Sequence, residues 1–146
     1  MSKKLLVIAT MSMGLSAMAA DELDIQALGG HDPVAYQTEG KAIRGDGFIL
    51  SKHNGLTYLF TSKDHKATFD KSPEKYVPQF GGWCAFGMSV GKKFHADPEA
   101  FVVHEGKLYV NVNQDILKKF KAKLTGNIKK TDSNWPKLRE KEESSL

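Results

Sequence analysis

The feature that most constrains the fold is a hairpin-and-helix pattern, first seen in FILSKHNGLTYLF. Two β-rich runs flank Asn54-Gly55, which is the preferred pair for a tight type I′ turn. A helix is predicted next, with Ser62 as its N-cap and with His65 and Phe69 on one face. The following Ser72-Pro73 step should end that helix and start a short second turn.

The same pattern returns in FVVHEGKLYVNV, which turns at Glu105-Gly106, and in the helical segment NQDILKKFKAKL. Five identities recur 51 residues apart: His53, Gly55, Tyr58, Asp64 and Phe69 match His104, Gly106, Tyr109, Asp115 and Phe120. We therefore predict a small single α+β domain with two β-hairpin-plus-helix units around one core.

Residues 1–19 have the pattern of a cleaved signal peptide. Lys3 and Lys4 precede an apolar stretch about half as long as a spanning helix, and small residues follow at the cleavage positions. We expect cleavage after Ala19 or one residue later, and a periplasmic protein. The mature chain should comprise a flexible N-terminus (residues 20–30), a folded domain (31–138) and a disordered tail (139–146).

The charge and the motifs limit the classes of partner and activity. Removing Lys3 and Lys4 lowers the formal net charge from +4 to +2, which is too weakly basic to predict nucleic-acid binding. No later stretch predicts a stable membrane insertion. We find no phosphate-loop, dinucleotide or nucleophile-elbow motif and do not expect an enzyme.

Cys84, the only cysteine, lies in QFGGWCAFGMSVG. A helix beginning here would place the thiol near its N-terminus, where the helix dipole lowers a thiol pKa and favours the thiolate. The alternative is a buried, inert side chain among Phe80, Trp83 and Phe86. The residues alone leave both interpretations open.

Three segments in order, DPVAY, HNGLTYLFTS and FDKSPEKY, resemble the YHS domain, a small metal-associated module. The stretches PQFGGWCAFGMSVG and DPEAFVVHEGKLYVN are similar to an exported bacterial single-domain branch of that family. The resemblance covers nearly the whole mature chain. It implies a functional role for Cys84, because this branch carries the cysteine in this setting and the position can be selenocysteine.

The chain departs from the family at the metal ligands. Metal-binding YHS modules carry cysteines at the positions of Ala35, Thr61 and His65, so two thiolates are gone and one has become an imidazole. Soft ions such as Cu(I) depend on sulfur ligands, and the ordinary site is therefore not expected.

The expected metal site starts from Cys84 as primary ligand, with His31, His65 and His95 as candidate partners. No HxH or HExxH spacing specifies which of these histidines takes part. We expect a metal-binding protein, with copper first and zinc second. Two other functions stay open, a thiol-redox protein acting through Cys84 and a YHS interaction module without a ligand; the sequence does not identify a protein partner.

Overall fold

The computed structural model describes residues 25–144, so the predicted signal peptide lies outside it. The α+β prediction is confirmed. Two antiparallel hairpins form in this part of the chain, β1 (Asp46–His53) with β2 (Leu56–Phe60), and β3 (Asp97–His104) with β4 (Lys107–Asn111). The helices of the same residues are α1 (Ala35–Thr38), α2 (Lys63–Lys71), α3 (Pro73–Tyr76), α4 (Ala85–Ser89), α5 (Gln114–Ala122) and α6 (Leu124–Leu138). None of them is long and apolar enough to cross a membrane.

Both hairpins close with the predicted tight turn. The φ angles are 49° at Asn54 and 75° at Gly55, and 50° at Glu105 and 71° at Gly106. Two consecutive residues with positive φ define a type I′ turn, whose twist matches that of the flanking strands. Glycine favours this backbone region, so the second position of each turn is readily occupied.

The helices after the hairpins begin where the sequence predicts. The Ser62 side chain accepts a hydrogen bond from the backbone N–H of His65, which satisfies one free donor of α2. Asn113 does the same for Ile116 at the start of α5. Pro73 lies at the first position of α3, which is where proline suits a helix.

The two hairpin-plus-helix units are structural repeats. Strands β1 and β2 and helix α2 recur 51 residues later as β3, β4 and α5, with the same lengths. The strand irregularity between Asp46 and Leu50 also recurs, between Asp97 and Phe101. A shared irregularity at the same register is a stronger sign of repetition than the five sequence identities.

A 3-10 turn precedes each hairpin, Ala27–Gly30 in the first half and Gln79–Gly82 in the second. Leu28 and Phe80 adopt φ angles of 53° and 55°, an unusual conformation for residues with a side chain. We call residues 25–76 the first unit and residues 77–122 the second unit; α6 follows them.

The core consists of three packed clusters. One lies in the first unit around Phe60 and Phe69, and a second lies around Met88 and Phe120, where α6 packs against α4. The third cluster joins the units through Leu28, Tyr36, Leu108 and Val110. The units therefore share one apolar interior and form one domain.

Both predicted boundaries of the folded domain differ from the structure. At the N-terminal end, Ala27 and Leu28 are buried and Gln26 pairs with Thr57, so residues 25–30 belong to the fold. At the other end, α6 extends to Leu138 and the chain then runs back to Lys93.

Lys93 holds the segment that the sequence predicts to be a disordered tail. Its ammonium donates to the carbonyl oxygens of Arg139 and Lys141, and its backbone N–H donates to Ser144 Oγ at 2.9 Å. The lysine is only 6% exposed, and a buried ammonium requires such acceptors. Residues 139–144 are therefore part of the fold.

Candidate functional site

Asp32 is the most completely hydrogen-bonded polar side chain of the first unit. It lies in the turn before α1 and is fully buried. Its Oδ1 accepts from Val34 N at 2.9 Å, and its Oδ2 accepts from Thr61 N at 2.8 Å and Thr61 Oγ1 at 2.7 Å. Burial raises the pKa of this carboxyl, but the hydrogen bonds from Thr61, His65 and Val34 outweigh burial and leave the pKa lowered.

His65 completes this cluster from the first turn of α2. Its Nδ1 lies 2.7 Å from Asp32 Oδ2, which fixes the orientation of the ring. Its Nε2 faces outward and lies 3.6 Å from Glu39 Oε1, with the His65 side chain 20% exposed and that of Glu39 44% exposed. One imidazole nitrogen is thus held by a buried carboxylate, while the other is available at the surface.

Cys84 is the N-cap of α4, as the sequence predicts for a helix starting in this segment. The thiol is 1% exposed, accepts from Gly87 N at 3.4 Å and donates to Asn111 Oδ1 at 3.9 Å. Burial raises the pKa of Cys84, although backbone N–H groups of Gly87, Val112 and Phe86 partly oppose it. Of the two interpretations of Cys84, the structure therefore agrees with the buried side chain, because desolvation outweighs the effect of the short helix on the thiol pKa.

Cys84 and Asp32 are equivalent positions of the two units. Each lies two residues after the end of a 3-10 turn, and each uses its backbone N–H in the same contact, Asp32 with Ile43 O at 2.8 Å and Cys84 with Phe94 O at 2.9 Å. The offset here is 52 residues instead of 51, since the second unit is one residue shorter between this point and its hairpin.

The partners of Asp32 also have counterparts in the second unit. Thr61, the first residue after β2, corresponds to Val112 after β4, and His65 in α2 corresponds to Ile116 in α5. The polar cluster of the first unit is thus replaced by a thiol and two aliphatic side chains. The two copies of this site have opposite chemistry.

A pocket of about 470 Å³ opens at the second copy of the site. Its wall is mainly apolar and includes Phe86, Phe94, Val112 and Ile116, with Cys84 also contributing. The lining also includes His95 and Glu143, whose Nε2 and Oε2 atoms lie 3.2 Å apart.

The structure does not gather the four predicted metal ligands. His31 Nδ1 lies 2.8 Å from Leu28 O, and His65 belongs to the Asp32 cluster. His95 lines the same pocket as Cys84, but its ring stacks on Trp83 with 4.7 Å between centroids. Within residues 25–144, no group of three or more His, Cys, Asp and Glu side chains is placed to hold a metal ion.

Sequence reasoning missed two residues of this site, Asp32 and Glu39. The Asp32 carboxylate contacts His65 across 33 residues of chain, a separation over which the sequence alone predicts no contact. An aspartate inside the segment that resembles the YHS metal loop was the available signal. Glu39 carries no such signal, because only the end of α1 brings it beside His65.

Comparison with known proteins gives no relative: no family model, curated protein or solved structure matches the chain. Roles for these residues therefore come from the geometry and from the motifs that resemble the YHS domain.

Proposed function

We propose that this is an exported, non-enzymatic metal-binding protein of YHS type whose ion binds at His65 and Glu39. The observation that carries the proposal is the 2.7 Å contact between Asp32 Oδ2 and His65 Nδ1. Asp32 thus occupies Nδ1, and Nε2 lies 3.6 Å from the partly exposed carboxylate of Glu39.

The hydrogen bond that Asp32 accepts from His65 has the form of the contact that orients metal-binding histidines. Metal-binding histidines commonly donate their second ring N–H to a carboxylate, which fixes the tautomer and makes the ligand nitrogen more basic. Asp32 meets this requirement without being a ligand itself, since its two oxygens already accept several hydrogen bonds. His65 also stands where the resembling modules carry a ligand.

The donor atoms favour copper, and zinc after it. An imidazole nitrogen with a carboxylate oxygen suits Cu(II) and Zn(II), and the divalent affinity order places copper above zinc. Two protein ligands leave further coordination positions for water or for a group of another molecule. Such a site is expected to bind more weakly than a closed four-ligand site.

The geometry weighs against Cys84 as the primary ligand and against a thiol-redox function. The thiol is buried, and burial raises its pKa, whereas metal binding and nucleophilic attack both need the thiolate. A role for Cys84 in shaping its pocket fits these observations better.

The test is a competition titration of the mature protein with Cu(II) and Zn(II) against a chromophoric chelator. We expect one ion per chain, and His65→Gln should weaken binding at least about tenfold. Asp32→Asn should weaken it by about 10- to 100-fold, because the acceptor that orients His65 is altered. Cys84→Ser should leave the affinity unchanged.

His53→Gln is the matched control. His53 also pairs with a glutamate, Glu74 at 2.7 Å, and is similarly exposed at 22%, but its partner is an exposed carboxylate. Equal affinity in the wild type and His65→Gln contradicts the proposal. Loss of binding in Cys84→Ser instead would return the thiol to the ligand set.

A further inference from the structure

We propose that the pocket beside Cys84 binds a small, neutral, largely apolar molecule. This site is separate from the His65 site, since it is lined by the second unit and by Glu143 and shares none of the residues proposed to hold the metal ion. Its volume of about 470 Å³ falls within the range of small-molecule sites.

The lining determines the class of ligand. Phe86, Phe94 and Ile116 present apolar surface, and the thiol of Cys84 adds a weakly polar group. His95 Nε2 and Glu143 Oε2 contact each other at 3.2 Å, so the polar atoms of these two side chains already have a partner. A neutral apolar molecule would therefore lose the least solvation on entering.

The repeat shows that the apolar character is specific to the second unit. At the equivalent place the first unit has Asp32, Thr61 and His65, which bond to one another and fill the site. In the second unit no such polar cluster forms, and Val112 remains 37% exposed. Exposed aliphatic surface around a pocket costs free energy in water unless something covers it.

Asn111 lies behind the pocket wall and does not line the pocket itself. It is fully buried next to Cys84 and accepts from Phe86 N at 3.1 Å through Oδ1. Its Nδ2 is the buried side-chain polar atom for which residues 25–144 provide no hydrogen-bond acceptor. A buried donor without an acceptor is unfavourable, and this unsatisfied polar group lies directly behind the lining residues Cys84 and Phe86.

The test uses the neutral dye N-phenyl-1-naphthylamine, whose fluorescence rises in apolar surroundings. We expect saturable binding of one dye per chain by the wild-type mature protein in metal-free buffer. Val112→Asp places a charge in the pocket wall and should weaken binding at least about tenfold. Because Val112 is partly exposed, this variant should remain folded, which circular dichroism and thermal melting would verify.

Leu50→Asp is the matched control, because Leu50 is also an aliphatic residue that is 37% exposed, but it does not line this pocket. It should bind the dye like the wild type. No saturable binding by the wild type, or equal binding by Val112→Asp, overturns the proposal.

Sedimentation of the same samples separates a ligand site from contact between two copies. If the wild type dimerises without the dye and Val112→Asp does not, the apolar surface joins two copies and the proposal is wrong. Metal affinity is measured separately, so failure here leaves the His65 proposal untouched, and the reverse also holds.

Discussion

Asp32 and Cys84 occupy the same place in the two halves of the molecule, and each accepts a hydrogen bond from the N–H of the residue three positions later. Ala35 N lies 3.4 Å from Asp32 Oδ1, and Gly87 N lies 3.4 Å from Cys84 Sγ. The backbone around the two positions is therefore alike, while one side chain carries a charge and the other a thiol. The difference between the two sites comes from side-chain chemistry on a shared frame.

A charge transplanted into the second unit tests this equivalence. Cys84→Asp should destabilise the protein by about 3 kcal/mol or more, since it buries a carboxylate without the donors that Asp32 has. Adding Val112→Thr and Ile116→His supplies the missing donors and should recover at least about 1 kcal/mol. Urea unfolding at pH 7 measures both differences.

The control for the transplant is the pair Val112→Thr and Ile116→His without Cys84→Asp. That pair should be destabilising by itself, because an imidazole then faces apolar neighbours. If the free energy of unfolding lost in the triple variant equals the sum of the losses in Cys84→Asp and in the pair, the two sites are not interchangeable and the equivalence fails.

The protonation state of Cys84 yields a second prediction. Because burial raises its pKa, the rate of alkylation by iodoacetamide should have its pH midpoint above that of free cysteine, about 8.5. At pH 7.5 the folded protein should react at least about tenfold more slowly than the same protein in urea, since reaction needs local opening. A midpoint below that of glutathione, measured alongside, would favour the thiol-redox function.

Local features of the fold were predictable because the interactions that define them span few residues. Asn54 and Gly55 specify their turn through backbone preferences, and Ser62 caps α2 by bonding to a neighbour three positions away. The site was only partly predictable. His65 was named as a candidate from its position in the motif, but its contact with Asp32 depends on the packing of α2 against the first turn.

Burial is the quantity that the sequence did not supply. Cys84 stands at the helix N-terminus as predicted, yet its exposure of 1% decides its pKa, and exposure depends on the whole fold. The same holds for Lys93, whose sequence surroundings, GKKFHADP, suggest a solvated loop. Its ammonium is instead buried against Trp83, with the nitrogen 4.6 Å from the ring centroid.

The carboxyl of Asp32 predicts a pH dependence of stability. Its pKa is lowered in the folded state, so its contribution is present above the unfolded value of 3.8 and is lost as the pH falls through the lower folded value. Asp32→Asn should cost about 2–3 kcal/mol at pH 7, because Thr61 and His65 lose a charged acceptor. The difference from the wild type should shrink below about pH 4.

Urea unfolding at pH 7, 5, 4 and 3 measures this difference. Asp115→Asn is the control, since that side chain is 85% exposed and should give a small difference at each pH. If the free energies of unfolding of the wild type and Asp32→Asn differ by the same amount from pH 7 to pH 3, the charge of Asp32 does not stabilise the fold.

The hydrogen bonds of Lys93 should determine how often residues 139–144 detach from the rest of the fold. Lys93→Met keeps the aliphatic packing on Trp83 but removes the donors to Arg139 O and Lys141 O. Hydrogen bonds from a charged group contribute about 1.5–3 kcal/mol, so the segment should open at least about tenfold more often. A glutamate-specific protease under native conditions should then cleave near Glu142 correspondingly faster.

Lys92→Met is the control, because it changes an exposed neighbour and should leave the cleavage rate unchanged. An equal cleavage rate in both variants would mean that Lys93 does not secure the segment.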